Sequence, residues 1–285
     1  MKKLKTGILG LDGLLDGGFN EHSATILVGS AGTGKTTMAL QFLRKGLETG
    51  SDAIYITLEE SRSQIMEEAR SMGWEDIESY VDKGSLVFLE AGGKDLADFI
   101  REELPQFVSE WDGSKARIVI DPLTPVIWAH DNKYEQRSLI SELFKQTKRV
   151  GTVFSTVEEH GTTGEMTGAE TIIPMYLADT VVHLNVLGMG DLQRSIKITK
   201  SRQSWHSEGG HPYRFVLGLG FVVDTSAMDG KRMAKLDIKL KQKAFQEINS
   251  EHIKRIVNLL ENADLGDMEP ERIINMLIDD YKVPQ

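Results

Sequence analysis

An α/β fold with a mostly parallel sheet flanked by helices is what three features of this 285-residue sequence predict. Short apolar runs of strand length alternate with helical patterns from Ala24 to Thr156, and such alternation needs right-handed crossovers that put helices on both faces of a sheet. The first run leads into Gly29-Ser30-Ala31-Gly32-Thr33-Gly34-Lys35-Thr36, a complete G-x-x-x-x-G-K-[ST] loop, whose setting is a strand before it and a helix after it. From Thr180 onward the pattern changes to strands separated by Gly-rich turns, which predicts an antiparallel extension of the sheet.

The lead-in Thr6 to Gly18 is dense in glycine yet carries Leu9, Leu11, Leu14 and Leu15, which reads as a compact turn packing its leucines beneath the first strand. That strand is Ala24 to Val28, and the helix after the loop runs from Thr37 to Thr49 with Leu40, Phe42, Leu43 and Leu47 on its apolar side before Gly50. Ala53 to Leu58 forms a second buried strand ending at Glu59-Glu60, followed by Ser61 and a helical stretch to Met72. A third strand, Leu86 to Leu89, precedes one helix from about Leu96 to Val108. A fourth, Ile118 to Ile120, ends at Asp121-Pro122. The helix from about Glu135 to Lys148 leads into Thr152 to Thr156, which ends on the hydroxyls of Ser155 and Thr156. The extension comprises 180–186, 195–200, 213–217 and 221–224.

The length fits one large domain, residues 1–227, and a short helical C-terminal appendage, residues 228–285. In the appendage a basic stretch (Lys231, Arg232, Lys235, Lys239, Lys241, Lys243) precedes two helical patterns. One follows Ser250 with Ile253, Ile256, Val257 and Leu260; the other follows Pro270 with Ile273, Ile274, Leu277 and Ile278.

Acidic residues outnumber basic ones, 43 to 33, giving a formal charge of -10. Most of such a surface repels a phosphate backbone, so nucleic acid is not the favoured partner. The absence of cysteine excludes disulfides, thiolate metal sites and cysteine nucleophiles, and fits a reducing compartment. Met1-Lys2-Lys3-Leu4-Lys5 imitates the start of a signal peptide, but Asp12 and Asp16 interrupt the apolar stretch after it. No run reaches the ~18 apolar residues that a bilayer span requires. The expectation is a cytoplasmic protein without membrane association.

In the loop, glycines let successive backbone N–H groups point at phosphates while a helix N-terminus adds its positive dipole end. The expected nucleotide-binding stretch is Gly29, Ser30, Ala31, Gly32, Thr33, Gly34, Lys35, Thr36 and Thr37, with Lys35 neutralising phosphate charge and the Thr36 hydroxyl on Mg²⁺. Ligands of parallel sheets bind beyond the strand carboxyl ends. The loop, Glu59-Glu60, Asp121 and Ser155-Thr156 are therefore expected at one edge. There Asp121 suits a role on Mg²⁺, the alternative being a cap of the turn at Pro122. Glu59 or Glu60 suits a general base that orients water, and the alternative is a pair of helix-start charges. Spacing does not separate the two glutamates. His206, Glu208 and His211 lack a metal-ligand arrangement.

Five segments together resemble the KaiC-like branch of the RecA/RadA ATPases: the lead-in, the phosphate loop, Ile56 to Glu60, Ile118 to Thr124, and Lys200-Ser201-Arg202-Gln203-Ser204-Trp205-His206. The resemblance covers about Leu4 to Asp224. It implies a RecA-type P-loop core with ATP and Mg²⁺ as cofactors, assembled into homo-oligomeric rings, commonly hexamers, with ATP between neighbouring subunits. It also implies that Glu59 and Glu60 activate water, and that Lys200 and Arg202 reach the γ-phosphate of the adjacent subunit. Read without the resemblance, Lys200 and Arg202 end a solvated edge strand. Trp205 and His206 line the same intersubunit site or are simply packed.

Two departures limit what carries over. Met175-Tyr176 stands where the clock protein has its phosphorylated Ser-Thr pair, and clock relatives have two cores in tandem where one is expected here. The DNA-binding central loops of the recombinases correspond to the stretch after Thr156. No lysine or arginine occurs there between Arg149 and Arg194, while Glu158, Glu159, Glu165, Glu170, Asp179 and Asp191 do. A pore lined this way repels single strands. The expected function is a Mg²⁺-dependent ATPase ring in a regulatory or assembly role, with a protein partner the sequence does not identify. The alternatives are a RadA-like paralogue binding single-stranded DNA through Lys231 to Lys243, and a nucleotide-gated scaffold with negligible turnover. Autokinase activity on Thr162, Thr163, Thr167 or Thr171 is a variant of the first reading.

Overall fold

The computed structural model of the chain describes residues 2–111, 115–159, 168–187, 193–225 and 272–277. A small antiparallel pair, β1 (Lys3–Leu4) and β2 (Phe19–Asn20), precedes the main sheet. That sheet contains β3 (Ala24–Gly29), β4 (Ala53–Thr57), β5 (Leu86–Glu90), β6 (Ala116–Asp121), β7 (Gly151–Glu158), β8 (Thr180–Leu187), β9 (Gln193–Ser201), β10 (Gly210–Val216) and β11 (Gly220–Val223). Their order is β11-β10-β9-β8-β3-β7-β6-β4-β5. β3 to β8 run parallel, so the antiparallel extension begins at β9 rather than at Thr180. The stretch from Thr180 lacks a helix after it, which is why its pattern reads as extension, yet it pairs parallel to β3 from Thr25↔Thr180 to Gly29↔Leu184.

β3 is buried on both faces, as a central parallel strand must be. Leu27 faces a core with Met38, Phe42 and Leu43 of α2 (Lys35–Glu48) and with Leu11, Leu14 and Leu15 of the lead-in, where α1 (Leu11–Leu14) forms. α3 (Arg62–Ser71) and α4 (Asp76–Asp82) close this face with Ile65, Met66 and Ile77, and Trp74 joins them from the connection between the two helices. Ile26 and Val28 face the second core. It is covered by α5 (Gly93–Glu102), α6 (Leu104–Trp111), α7 (Thr124–Trp128), α8 (Lys133–Val150) and α9 (Ala169–Leu177).

Several boundaries follow from local chemistry. Ser61 caps α3 in a capping box with Gln64, which satisfies two backbone donors reciprocally. The single helix expected over 96–108 is two: α5 ends at Glu102, and Pro105 in the first turn of α6 has no N–H to continue the ladder. Of the appendage, 272–277 is helical, with Ile273 and Leu277 buried against Leu9, Val216, Leu219 and Val222. The helix expected after Ser250 and the basic stretch Lys231 to Lys243 lie outside the described residues.

The outer edge at β11 is closed by α2 and the lead-in. Gln41 of α2, buried, donates from Nε2 to the carbonyls of Gly7 at 2.8 Å and Leu219 at 2.9 Å, and its Oε1 accepts the Phe221 N–H at 2.8 Å. The Val223 N–H donates to Leu9 O at 2.9 Å. These bonds occupy backbone groups that an edge strand otherwise exposes. Gln41→Leu keeps the volume and leaves buried backbone groups unpaired, so we expect a loss of roughly 3 kcal/mol in the unfolding free energy, read from urea titration.

Candidate nucleotide site

The phosphate loop joins β3 to α2 through two glycines in the left-handed region. Gly34, at the N-cap of α2, has φ 88°, and a Cβ there would lie 2.3 Å from Cζ of Phe215. Gly32 has φ 74° with open space where a Cβ would stand, so its backbone faces an unobstructed approach. The first helical bond, from Met38 N–H to Gly34 O at 3.0 Å, leaves the amides of Lys35, Thr36 and Thr37 without an acceptor inside the helix. The loop is braced from within and behind. Thr33 Oγ1 donates to Ser30 O at 2.8 Å, and the Tyr213 hydroxyl donates to Thr33 O at 2.8 Å. Burial raises the Tyr213 pKa, so this hydroxyl keeps its proton. Lys35 Nζ donates to Gly29 O at 3.0 Å and Ser30 O at 3.1 Å.

A cleft of ≈ 570 Å³ opens in front of the loop. Ala31, Gly32, Gly34, Lys35, Thr36 and Thr37 line one side, with Glu59, Glu60 and Asp121 across from them. Gly29, Ser30 and Thr33 do not line it and serve as the loop's internal scaffold through the bonds above. Four further polar or aromatic residues that the sequence did not single out for this site reach the cleft: Glu68, Ser71, Glu158 and Phe215.

Asp121, the last residue of β6, is 8 % exposed. Its Oδ2 accepts the Tyr55 hydroxyl at 2.5 Å and its Oδ1 accepts the Thr156 hydroxyl. Burial, then the Asp121 charge, pushes the Tyr55 pKa well up and keeps it a donor. Both hydroxyls thus fix the orientation of the carboxylate at the cleft. Burial is also the first cause of raised pKa values at Glu59 and Glu60. At Glu59 the charges of Glu158, Asp121 and Glu60 add to it, and Asp121 does so at Glu60. Glu68 is raised by burial, against the opposing hydrogen bond from the Thr37 hydroxyl. Lys35 is lowered by burial, partly offset by Glu158, Asp121 and Glu59.

One expectation is corrected at this edge. Ser155 and Thr156 do not follow a strand end; β7 continues to Glu158, Ser155 is fully buried, and Thr156 serves Asp121. Glu158 pairs with Gly29 in the sheet and reaches the cleft, and Glu159 is buried with Oε2 3.0 Å from His183 Nε2. Asp179 is likewise engaged, bonding the Ala24 N–H at 2.9 Å and Lys148 Nζ at 3.1 Å. Glu165 and Asp191 lie outside the described residues, as do Thr162, Thr163 and Thr167; Thr171 is buried in α9.

Lys200 and Arg202 are elsewhere. Lys200 pairs with Val181, which pairs with Ile26 near the start of β3, whereas the phosphate loop follows Gly29 at its end. The pair therefore stands at the opposite edge of the sheet from the cleft. Lys200 Nζ donates to Met175 O and Tyr176 O, both at 2.9 Å, and Arg202 Nη2 donates to Tyr176 O at 2.9 Å. Trp205 beside them is 56 % exposed, and His206 bonds Ser207 O through Nδ1 at 3.0 Å.

The family described as "ATPase: KaiC" matches residues 4–224. The chain belongs to the KaiC ATPase family. It is 31% identical over 238 residues to circadian clock protein KaiC3 of Synechocystis, a match covering 78% of this chain and 46% of the relative. It is 32% identical over 227 residues to circadian clock oscillator protein KaiC of Synechococcus elongatus, covering 74% of this chain and 42% of the relative. The chain thus spans less than half the length of these curated relatives. A crystal structure of a KaiC-like protein from the archaeon Pyrococcus horikoshii superposes with a TM-score of 0.64 at 28% identity, covering 78% of this chain and 99% of that one. Among the described residues, no helix is long and apolar enough to cross a membrane.

A nucleotide with Mg²⁺ fits the residues present. The open backbone at Gly32, the unpaired amides of the first turn of α2 and Lys35 suit phosphate oxygens, and the Thr36 hydroxyl with the Asp121 carboxylate is an oxygen donor set of the kind Mg²⁺ takes.

The raised pKa of Glu68 sets a sign for pH dependence. Between the ordinary carboxylate range and its raised value the folded chain holds a proton that the unfolded chain has released, so this group's contribution to stability falls as pH rises through that window. Glu68→Gln removes the charge. In the nucleotide-free chain its melting temperature should exceed that of the parent most above the window, with the difference shrinking as pH falls toward 4.5, the unperturbed carboxylate value.

Proposed function

We propose that this chain is a Mg²⁺-dependent ATPase that works as a ring, each cleft being completed by Lys200 and Arg202 of the next subunit, in a regulatory or assembly role. The observation that carries this reading is the split of charge across the sheet. Glu59, Glu60, Glu68, Asp121 and Glu158 surround Lys35 at one edge, and Lys200 and Arg202 stand at the other. Phosphoryl transfer needs positive charge facing the phosphate as negative charge shifts in the transition state. With its carboxylates, the cleft is short of it within one chain. A head-to-tail contact brings the two edges together, and repeating it closes a ring.

Thr36 and Asp121 would hold Mg²⁺, which when bound neutralises phosphate charge and orients the oxygens. Lys35 leaves the carbonyls of Gly29 and Ser30 to meet phosphate instead. Tyr55 and Thr156 keep Asp121 oriented at the cleft throughout. Glu59 or Glu60 accepts the proton of the attacking water, and a carboxylate whose pKa is raised toward neutrality is the better base at pH 7. The backbone of Glu60 is tied at its carbonyl by the Thr57 hydroxyl at 2.6 Å, which fixes where this pair leaves the strand.

Lys35→Ala should abolish ATP binding in equilibrium dialysis. Arg202→Ala should retain binding and lower turnover by roughly a thousandfold, the scale of an arginine supplied in trans. Mixing Arg202→Ala with a Glu59→Gln, Glu60→Gln chain should restore part of the phosphate release, because one interface in the mixed ring then has both halves intact. Absence of restoration in rings shown to mix contradicts the trans arrangement.

A further inference from the structure

α9 ends without the usual means of closing a helix. Its C-cap, Ala178, is extended (φ -62°, ψ 157°) rather than left-handed, and its last turn contains no basic residue. The Ala178 N–H returns to Pro174 O, which leaves the carbonyls of Met175 and Tyr176 with no backbone donor at the negative end of the helix dipole. Both are capped from another strand. Lys200 takes Met175 O and Tyr176 O, and Arg202 takes Tyr176 O, each at 2.9 Å. The turn that carries Arg202 is fixed independently, because its N–H donates to Asp179 O at 2.8 Å and its carbonyl accepts Asn20 Nδ2 at 3.2 Å. Any rearrangement of the pair therefore falls to the two side chains and not to the turn that bears Arg202.

We propose that Lys200 and Arg202 are shared between two mutually exclusive tasks, capping α9 of their own subunit and meeting the phosphates in the neighbour's cleft, so that α9 reports whether the neighbour holds a nucleoside triphosphate. This rests on the trans arrangement proposed above and adds the regulation of that site. Lys200 spends two of its three N–H donors on α9, and turning its ammonium toward a neighbour's phosphate withdraws both. The last turn of α9 then loses its caps and frays. Inside the fold α9 lies against α7, α8, β3 and β7, with Ile173 and Thr171 buried, so loosening it acts on the same strands that carry the phosphate loop and Glu158. Tyr176, 67 % exposed, rides on that turn and gives it an outward face.

Amide hydrogen exchange on the full chain tests this. In the absence of nucleotide, Lys200→Met with Arg202→Met should speed exchange of the amides of 175–178 by roughly tenfold while those of β3 stay protected. In the parent chain, a non-hydrolysable ATP analogue should speed the same amides, ADP should not, and the double variant should show no further response. Equal exchange of 175–178 in the parent and the double variant without nucleotide overturns the capping role. Unchanged exchange with the analogue, in rings whose mixed subunits restore phosphate release, overturns the coupling and leaves the trans reading standing. Failure of the mixed rings together with unchanged exchange overturns both.

Discussion

Strands β3 to β8 all deliver their carboxyl ends to one edge of the sheet, and the chemistry of the cleft depends on that shared direction. Each crossover helix returns the chain to the same starting edge, so every strand end opens on the same side. Gly29, Thr57, Asp121 and Glu158 are the last residues of β3, β4, β6 and β7, and the phosphate loop, the Glu59-Glu60 pair and the buried carboxylate follow from them directly. Reversal of direction at β9 has the opposite effect. It carries Lys200 back to the level of Ile26, roughly 10 Å short of the loop along the strand, and gives the molecule two chemically distinct edges.

Around this frame the cleft is kept polar yet rigid. Asp121 has both carboxylate oxygens held by hydroxyls from neighbouring strands, which spares a buried charge the cost of standing unpaired. The loop is braced by Tyr213 from β10, and Phe215 of the same strand occupies the space that any side chain at Gly34 would need. The antiparallel extension is therefore part of the site's support, and Gln41 and Leu9 in turn secure its outer strand.

Much of this was legible in the sequence because it is written in short-range patterns. The strand-loop-helix around Gly29 to Thr36, the acids closing β4 and β6, and the leucines of the lead-in all follow from local periodicity and turn chemistry. What the sequence does not display depends on partners far apart in the chain. Tyr55 reads as one more apolar strand residue until Asp121 is placed beside it. Glu68 reads as a solvated helix position until α3 is laid against Thr37, and Phe215 reads as core until Gly34 is seen beneath it. Glu158 was visible as an acid after Thr156, but only the two further residues of β7 bring it to the cleft. The pairing of Lys200 and Arg202 with α9 had no local signal at all, since a helix without a basic last turn gives no hint of where its cap comes from.

The central claim is that the catalytic unit is an interface. The most direct measurement is phosphate release per chain across a dilution series, with oligomer mass followed in the same samples. If the site is split, specific activity falls together with the oligomer and vanishes where the mass is that of one chain. Specific activity that stays constant down to the single chain contradicts the account, because one subunit would then hold a complete site.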